Sequence, residues 1–323
     1  MPIIDPGSTS GCLNIQTIKV IHNCLRIRRI VNQGKYNQVW INTSIYPTAF
    51  AKLLILVSSL MRLKHPIIRV FFHGGRFDEI GFLHSNLVRR LASKILQRCH
   101  SLHFLSREQG EGFAKVFPNL NWEQFSNYLP VDSTIQPKSL KKKIFLFVGR
   151  LVEEKGTREI VSSLDSLISS RGNEDFAFWF VGDGPEMRYL QSVAKKYPKD
   201  LYCLLGRLNQ DALEDIYRQS FALLLPSYHR EGFPYVVIEA MRAGLPIIAT
   251  PTGVLPDIIH ERKNGFLIPP LNHAVLTKAI EKLLDNPDLY AAIQRNNISY
   301  FQQHLSKAAA EKYYRSLVST GAD

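Results

Sequence analysis

Apolar positions along the chain follow two spacings. Short unbroken runs rich in β-branched and aromatic residues, "QVWINTS" (38–44) and "IIRVFFHGG" (67–75), end at polar or glycine residues, as buried parallel strands do. Between them "AFAKLLILVSSLMRL" (49–63) reads as a buried helix. After them "SNLVRRLASKILQRCHS" repeats its apolar residues at helical spacing and carries a cationic face, and "LHFLS" (102–106) reads as the next strand. The pattern restarts with "IFLFVGR" (144–150), "FAFWFVG" (176–182), "YCLLG" (202–206), "ALLLPS" (222–227), "PIIAT" (246–250) and "GFLIPP" (265–270), with helices such as "DALEDIYRQS" between them. Strands alternating with helices predict an α/β protein built on doubly wound parallel sheets. In such sheets ligands bind beyond the carboxyl ends of the strands.

Length divides this pattern in two. A chain of 323 residues exceeds what one hydrophobic core usually organises, so two domains of about 150 residues are expected. The polar, proline-containing stretch 133–143 reads as the linker, giving expected domains 1–137 and 138–305. A helix over 306–323 follows, with Tyr313, Leu317 and Val318 available for packing.

Charge adds an asymmetry. Residues 1–140 hold 17 Lys and Arg against 7 Asp and Glu, a net of +10, and the remainder holds 23 against 21, a net of +2. A basic first half fits nucleic acid, an anionic membrane surface, a phosphate-bearing substrate or a solvated basic face. The four cysteines, Cys12, Cys24, Cys99 and Cys203, show no metal-ligand spacing and no disulfide framework, which fits a reducing cytosol. The opening residues lack a signal-peptide layout, and the longest apolar stretch is interrupted by Lys52 and too short to span a bilayer.

Candidate chemistry gathers at the predicted strand ends. "IFLFVGR" delivers Gly149 and Arg150, and "LVEEKG" then places Lys155 and Gly156 at the next helix start; two cations and two glycines at a strand-to-helix turn suit a diphosphate. "VGDGPE" (181–186) is weaker evidence, since an ordinary turn explains it equally well. In "REGFPYVVIEAMRAGLPIIATPTGV" (230–254), Glu231 precedes Gly232 in a loop and Glu239 sits on the helix behind it. Gly232 permits close approach to the main chain, and Pro234 lacks an N–H, so amide donors must come from neighbours such as Gly232, Phe233 and Tyr235. The carboxylates can accept hydrogen bonds from sugar and ribose hydroxyls; a capping acid and a surface helix acid explain the pair more plainly.

The ordered set "FVGRL…EKG", "FWFVGDGPE", "LLGRLNQDALEDIY", "LLLPSYHREGFPYVVIEAMRAGLPIIAT" and "GVLPDIIHERKNGFLIPP" resembles the family-four glycosyltransferases, of the glycosyl transferases group 1 type. The match is dense over 144–270 and weaker over 36–132, where "FFHGGRFDE" and "SNYLPVD" look like the acceptor-side domain of bacterial members that build surface polysaccharides. The resemblance implies two Rossmann-like domains facing a central cleft (the GT-B fold) and a terminal helix returning to the first domain. It implies that Arg150 and Lys155 hold the donor diphosphate, that Glu231, Gly232 and Phe233 line the sugar and phosphate pocket, that Glu239 binds the ribose, and that His73 lies beside the reacting carbon. It also implies a retaining transfer from a UDP- or GDP-linked sugar to a glycan or lipid-linked acceptor, at the inner face of the cytoplasmic membrane. No cofactor and no metal are expected, and the chain has no Asp-x-Asp pair.

The start of the chain departs from the family pattern. A short strand before Gly7 and Gly11 is all that stands for the usual strand and glycine-rich loop, so Gly7 and Gly11 are the expected phosphate-facing positions in a shortened first domain. Two other classes of answer remain beside a transferase. A related nucleotide-sugar enzyme or inactive member would share the fold, and a nucleic-acid module would use the same charge but leave Glu231 and Glu239 without a role.

Overall fold

The computed structural model describes residues 12–16, 29–32, 36–61, 66–75, 77–138, 142–172, 175–229 and 232–319. Two compact units divide the chain: unit 1 is Met1–Ser126 with Lys312–Asp323, and unit 2 is Asn127–Glu311.

Unit 1 is built on five parallel strands in the order β1-β2-β3-β4-β5: Cys12–Gln16, Gln38–Ile45, Ile67–Gly75, Ser101–Phe104 and Glu123–Gln124. The first described strand, β1, follows Gly11; the short strand that the sequence suggested before Gly7, with Gly7 and Gly11 themselves, lies outside the described residues. Alternation along the strands sorts side chains onto two unlike faces. Val39, Ile41, Ile68, Val70, Phe72, Leu102 and Phe104 join the helices Pro47–Leu60, Asn86–Leu96 and Arg107–Val116 in one apolar core. The intervening positions are Gln38, Trp40, Arg69, Phe71, Ser101 and His103.

That second, mixed face is covered by the final turns of the helix Lys307–Ser319, which enters unit 1 at Lys312. Tyr314 packs on Trp40, and Phe71 stacks on His103 with ring centroids 4.6 Å apart. The Arg69 guanidinium, 2% exposed, donates to the Ser101 hydroxyl and to the carbonyl of Leu317, while Gln38 donates to the carbonyl of Val318. A cation and an amide therefore satisfy carbonyls that the end of an α-helix leaves without partners, in the orientation the helix dipole favours. Because Arg69 has donors only, Ser101 accepts from it; the Ser101 hydroxyl also hydrogen-bonds His103 Nε2 at 2.7 Å, and His103 Nδ1 hydrogen-bonds the Tyr313 hydroxyl at 2.8 Å, the directions set by the tautomer of the ring. Burial and the nearby Arg69 charge push the His103 pKa down to about 3.

Unit 2 holds six parallel strands in the order β11-β10-β9-β6-β7-β8: Gly265–Leu267, Ile247–Ala249, Ser220–Leu225, Lys143–Val148, Phe176–Val181 and Tyr202–Gly206. Successive strands run outward from β6 through β7 to β8, and from β9 through β10 to β11 the other way. Strands β6 and β9 are neighbours, so the winding reverses between them, and that junction is the topological switch point of a Rossmann sheet. Phe145, Phe147, Phe178, Phe180, Ala222 and Leu224 fill the core with the helices Thr157–Arg171 and His273–Asp285.

The stretch read as a linker is not a free tether. Buried Arg242 donates through Nε to the carbonyl of Ser133 at 2.7 Å and through Nη1 to Glu214 at 2.8 Å, and the amides of Ile135 and Lys138 donate to the carbonyls of Arg242 and Arg218. Residues 127–138 thus pack on unit 2, the difference arising from a buried arginine that finds main-chain acceptors in an irregular segment.

Candidate functional site

The carboxyl ends of β6, β7 and β9 in unit 2 are joined through backbone. Beyond β6, the Gly149 amide donates to the carbonyl of Val181 and the Leu151 amide to that of Asp183, which fixes the main chain on both sides of Arg150. Arg150 projects to solvent from this clamp. Lys155 closes a short 3-10 turn, Glu153–Lys155, and is half-buried. Gly156 follows at φ +75°, and a Cβ there would lie 2.3 Å from the carbonyl oxygen of Pro226 beyond β9, so the two strand ends flanking the switch point touch at a glycine. The carbonyl of Glu154 accepts from the amides of Tyr228 and His229 at 3.0 and 3.1 Å and from the hydroxyl of Ser227.

Across the same switch point, Gly232 and Phe233 lead into the helix Tyr235–Arg242, with Pro234 as its N-cap residue. The carbonyl of Gly232 accepts from the Val254 amide, and that of Phe233 from the Asn127 side chain, so both are tied to their surroundings. A Cβ on Gly232 would meet open space. Unlike Gly156, no neighbour in the described chain requires a glycine there.

Glu239 lies one turn into this helix and is 8% exposed. Tyr217 donates to its Oε2 at 2.8 Å and Gln210 to its Oε1 at 3.3 Å. Burial raises its pKa, and the two hydrogen bonds and the Arg242 charge pull the other way. Each carboxylate oxygen has two lone-pair directions, so the group keeps capacity to accept from a diol. Gln210 opens the helix Gln210–Gln219 just beyond β8, which places this carboxylate against another strand-end segment of the sheet.

The loop "VGDGPE" is held by a paired contact. Arg158 donates from Nε to Glu186 Oε2 at 2.9 Å and from Nη2 to Oε1 at 3.2 Å, and its guanidinium lies over the Tyr189 ring. The turn that sequence left ambiguous is a bidentate staple to the helix Thr157–Arg171.

Unit 1 carries His73 near the end of β3. Its Nε2 lies 2.8 Å from Asn42 Oδ1, its ring meets Phe125 edge-on, and burial lowers its pKa to about 4. With Oδ1 as the acceptor, Nε2 carries the proton and Nδ1 presents a lone pair; Nδ1 is buried without a partner among the described residues. Of the expected site residues, Arg150, Lys155, Gly232, Phe233 and Glu239 belong to unit 2 and His73 to unit 1. Glu231, Gly7 and Gly11 lie outside the described residues.

A family profile described as glycosyl transferases group 1 matches residues 131–300, slightly more than half the chain and all six strands of the unit 2 sheet. The chain belongs to the glycosyl transferases group 1 family. Among curated relatives, the 2-deoxystreptamine glucosyltransferase of Streptomyces kanamyceticus is 33% identical over 142 residues, 44% of this chain and 36% of that protein. An uncharacterized glycosyltransferase of Haemophilus influenzae is 30% identical over 245 residues, 73% of this chain and 66% of its own. The chain thus spans between about a quarter and two thirds of the length of the curated relatives it matches. Among solved structures, Anabaena HepE in complex with UDP superposes with a TM-score of 0.69 at 15% identity, covering 92% of this chain and 82% of that one. At that identity the likeness speaks for the fold alone: the chain has the GT-B fold of its group 1 relatives, two Rossmann-like units.

Sequence reasoning about the group 1 motifs missed the residues that hold the acids and bases in place: Tyr217 and Gln210 on Glu239, and Asn42 on His73. Gln210 and Tyr217 are seven apart on one helix, a spacing that puts both on one face and could have flagged them as partners of a common group.

Proposed function

We propose that this chain transfers a glycosyl group from a nucleoside-diphosphate sugar, UDP- or GDP-linked, to a hydroxyl of a glycan or lipid-linked acceptor, with retention of configuration and without a metal ion. The observation that supports this reading is the switch point between β6 and β9, where the backbone-anchored turn bearing Arg150 and Lys155 follows one strand and the helix start before the buried, hydrogen-bonded Glu239 follows the other. The fold likeness to a UDP-bound protein supports a nucleotide donor.

In this reading the bond between the anomeric carbon and the diphosphate oxygen breaks, leaving oxocarbenium character on the sugar and negative charge on the departing oxygen. Arg150, Lys155 and the amides leading into the helix Tyr235–Arg242 stabilise that charge, the two cations carried on a turn whose main chain is anchored to the neighbouring strand ends. The acceptor hydroxyl attacks from the face the diphosphate leaves, and its proton passes to a diphosphate oxygen. Glu239 holds the ribose diol, Glu231 contacts the transferred sugar, and His73, neutral at physiological pH, accepts from a hydroxyl rather than acting as a cation.

Calorimetry with UDP and GDP, followed by turnover with a panel of nucleotide-sugars in the presence of chelator, tests the proposal. Salt-tolerant binding of one nucleotide and an α-linked product from an α-linked donor are expected. Steeply salt-dependent binding of DNA or RNA with no nucleotide binding would overturn it.

A further inference from the structure

Between residues 36 and 107 the chain carries ten Lys and Arg against two acids, Asp78 and Glu79. Within this stretch the helix Asn86–Leu96, "NLVRRLASKIL", turns Ala92, Ile95 and Leu96 into the unit 1 core. Its outer side is not simply polar. Leu87 is 78% exposed and Leu91 59% exposed, one turn apart, and Arg90 and Lys94 stand exposed beside them. At about 100° per residue, Leu87, Leu91 and Lys94 fall within a sector of about 60°, and Arg90 widens it to about 100°. The helix Pro47–Leu60, packed against it, has no acid either and exposes Ile55 to 52%.

We infer that the Leu87–Leu91 face of this helix docks on an anionic bilayer surface, the leucines entering the boundary between headgroups and acyl chains and Arg90 and Lys94 pairing with lipid phosphates. This rests on the lipid-linked acceptor of the proposed function, since a bilayer-borne acceptor needs the enzyme held at the surface. Single exposed leucines are ordinary, but two on one outer face between cations, with no acid on the helix, match the composition of an interfacial helix. A protein interface core depletes lysine, and a nucleic-acid contact gives leucines no role. Charge complementarity therefore favours anionic lipid.

The test is co-sedimentation of the full chain with vesicles of phosphatidylcholine alone or mixed with phosphatidylglycerol, at low and high salt. Binding to the mixed vesicles about tenfold or more above the neutral ones is expected. The double variant Leu87→Ser with Leu91→Ser is expected to bind them about tenfold or more weakly at both salts. The double variant Arg90→Glu with Lys94→Glu is expected to lose the low-salt gain. All four side chains face solvent, and a UDP titration on each variant should match wild type. Equal binding to neutral vesicles, or serine variants that bind like wild type, would overturn the inference. So would a self-association that the serine variants abolish while vesicle binding persists, which would make a second copy the occupant. Loss of UDP binding by the unaltered protein, with vesicle binding intact, would instead count against the nucleotide-sugar reading alone.

Discussion

Glu239 holds a charge where burial disfavours it, and the two donors on it only partly offset that cost. Its pKa in the folded chain is raised, so its ionised form costs stability once pH climbs through the ordinary glutamate range, and the cost is absent below that range. Glu239→Gln is therefore expected to raise unfolding stability in urea by up to about 1 kcal/mol at pH 8, with the gain vanishing near pH 4, while UDP affinity falls. A stability loss at pH 8 would contradict this. Tyr217→Phe removes one donor without changing shape. UDP should then bind roughly three- to tenfold more weakly, whereas 2′,3′-dideoxyuridine diphosphate, which has no diol to read, should bind the variant and the parent alike. His73 and His103 have the opposite linkage. Both pKa values are depressed, to about 4 and about 3, so the unfolded chain takes up protons first as pH falls below about 6.5 and unit 1 loses stability there. Denaturant melts at pH 6.5 and 5 should differ by roughly 1–2 kcal/mol for each ring.

At the scale of elements, the turn after β6 is where the fold and the candidate site constrain each other most. Gly156 sits at φ +75° against the carbonyl of Pro226, so Gly156→Ala introduces both backbone strain and an overlap, with an expected loss of about 1–3 kcal/mol read from thermal melts. Gly232→Ala, facing open space, should leave the melt unchanged while reducing nucleotide binding. The strands were legible in the sequence because buried parallel strands are uninterrupted apolar runs: "IFLFVGR" and "FAFWFVG" announce β6 and β7 to within a residue or two. The placement of Arg150 and Lys155 in the turn after β6 was legible because glycines mark the strand end, where a doubly wound sheet exposes its ligand-binding side. Asn42, Gln210 and Tyr217 were not, since a polar residue on a strand or helix looks the same whether it faces water or a buried partner; what distinguishes them is an approach between segments distant in sequence. Arg69 shows the same limit, an arginine in mid-strand whose acceptors lie 32 and 248 residues away.

For the molecule as a whole, unit 1 depends on residues at both ends of the described chain. Removing everything after Glu311 would take away Tyr313 from His103 and the Leu317 carbonyl from Arg69, leaving a buried guanidinium short of acceptors and uncovering Trp40 and Phe71. Losing one partner of a buried charge costs about 3–5 kcal/mol, so the truncated chain is expected to lose protease resistance in unit 1 while unit 2 persists as a resistant fragment. Equal resistance of both units would argue that the helix end contributes little. Among the described residues no helix is long and apolar enough to cross a membrane.

Because Lys312–Asp323 belongs to unit 1 while Asn127–Glu311 forms unit 2 without interruption, the order of translation and the order of assembly part company. On the ribosome the later-made unit holds all its own segments first, and the earlier-made one waits, its Arg69 face uncovered, until the last helix emerges. A translational pause placed before Lys312 would thus prolong the exposure of the N-terminal sheet and leave the other unit free to finish.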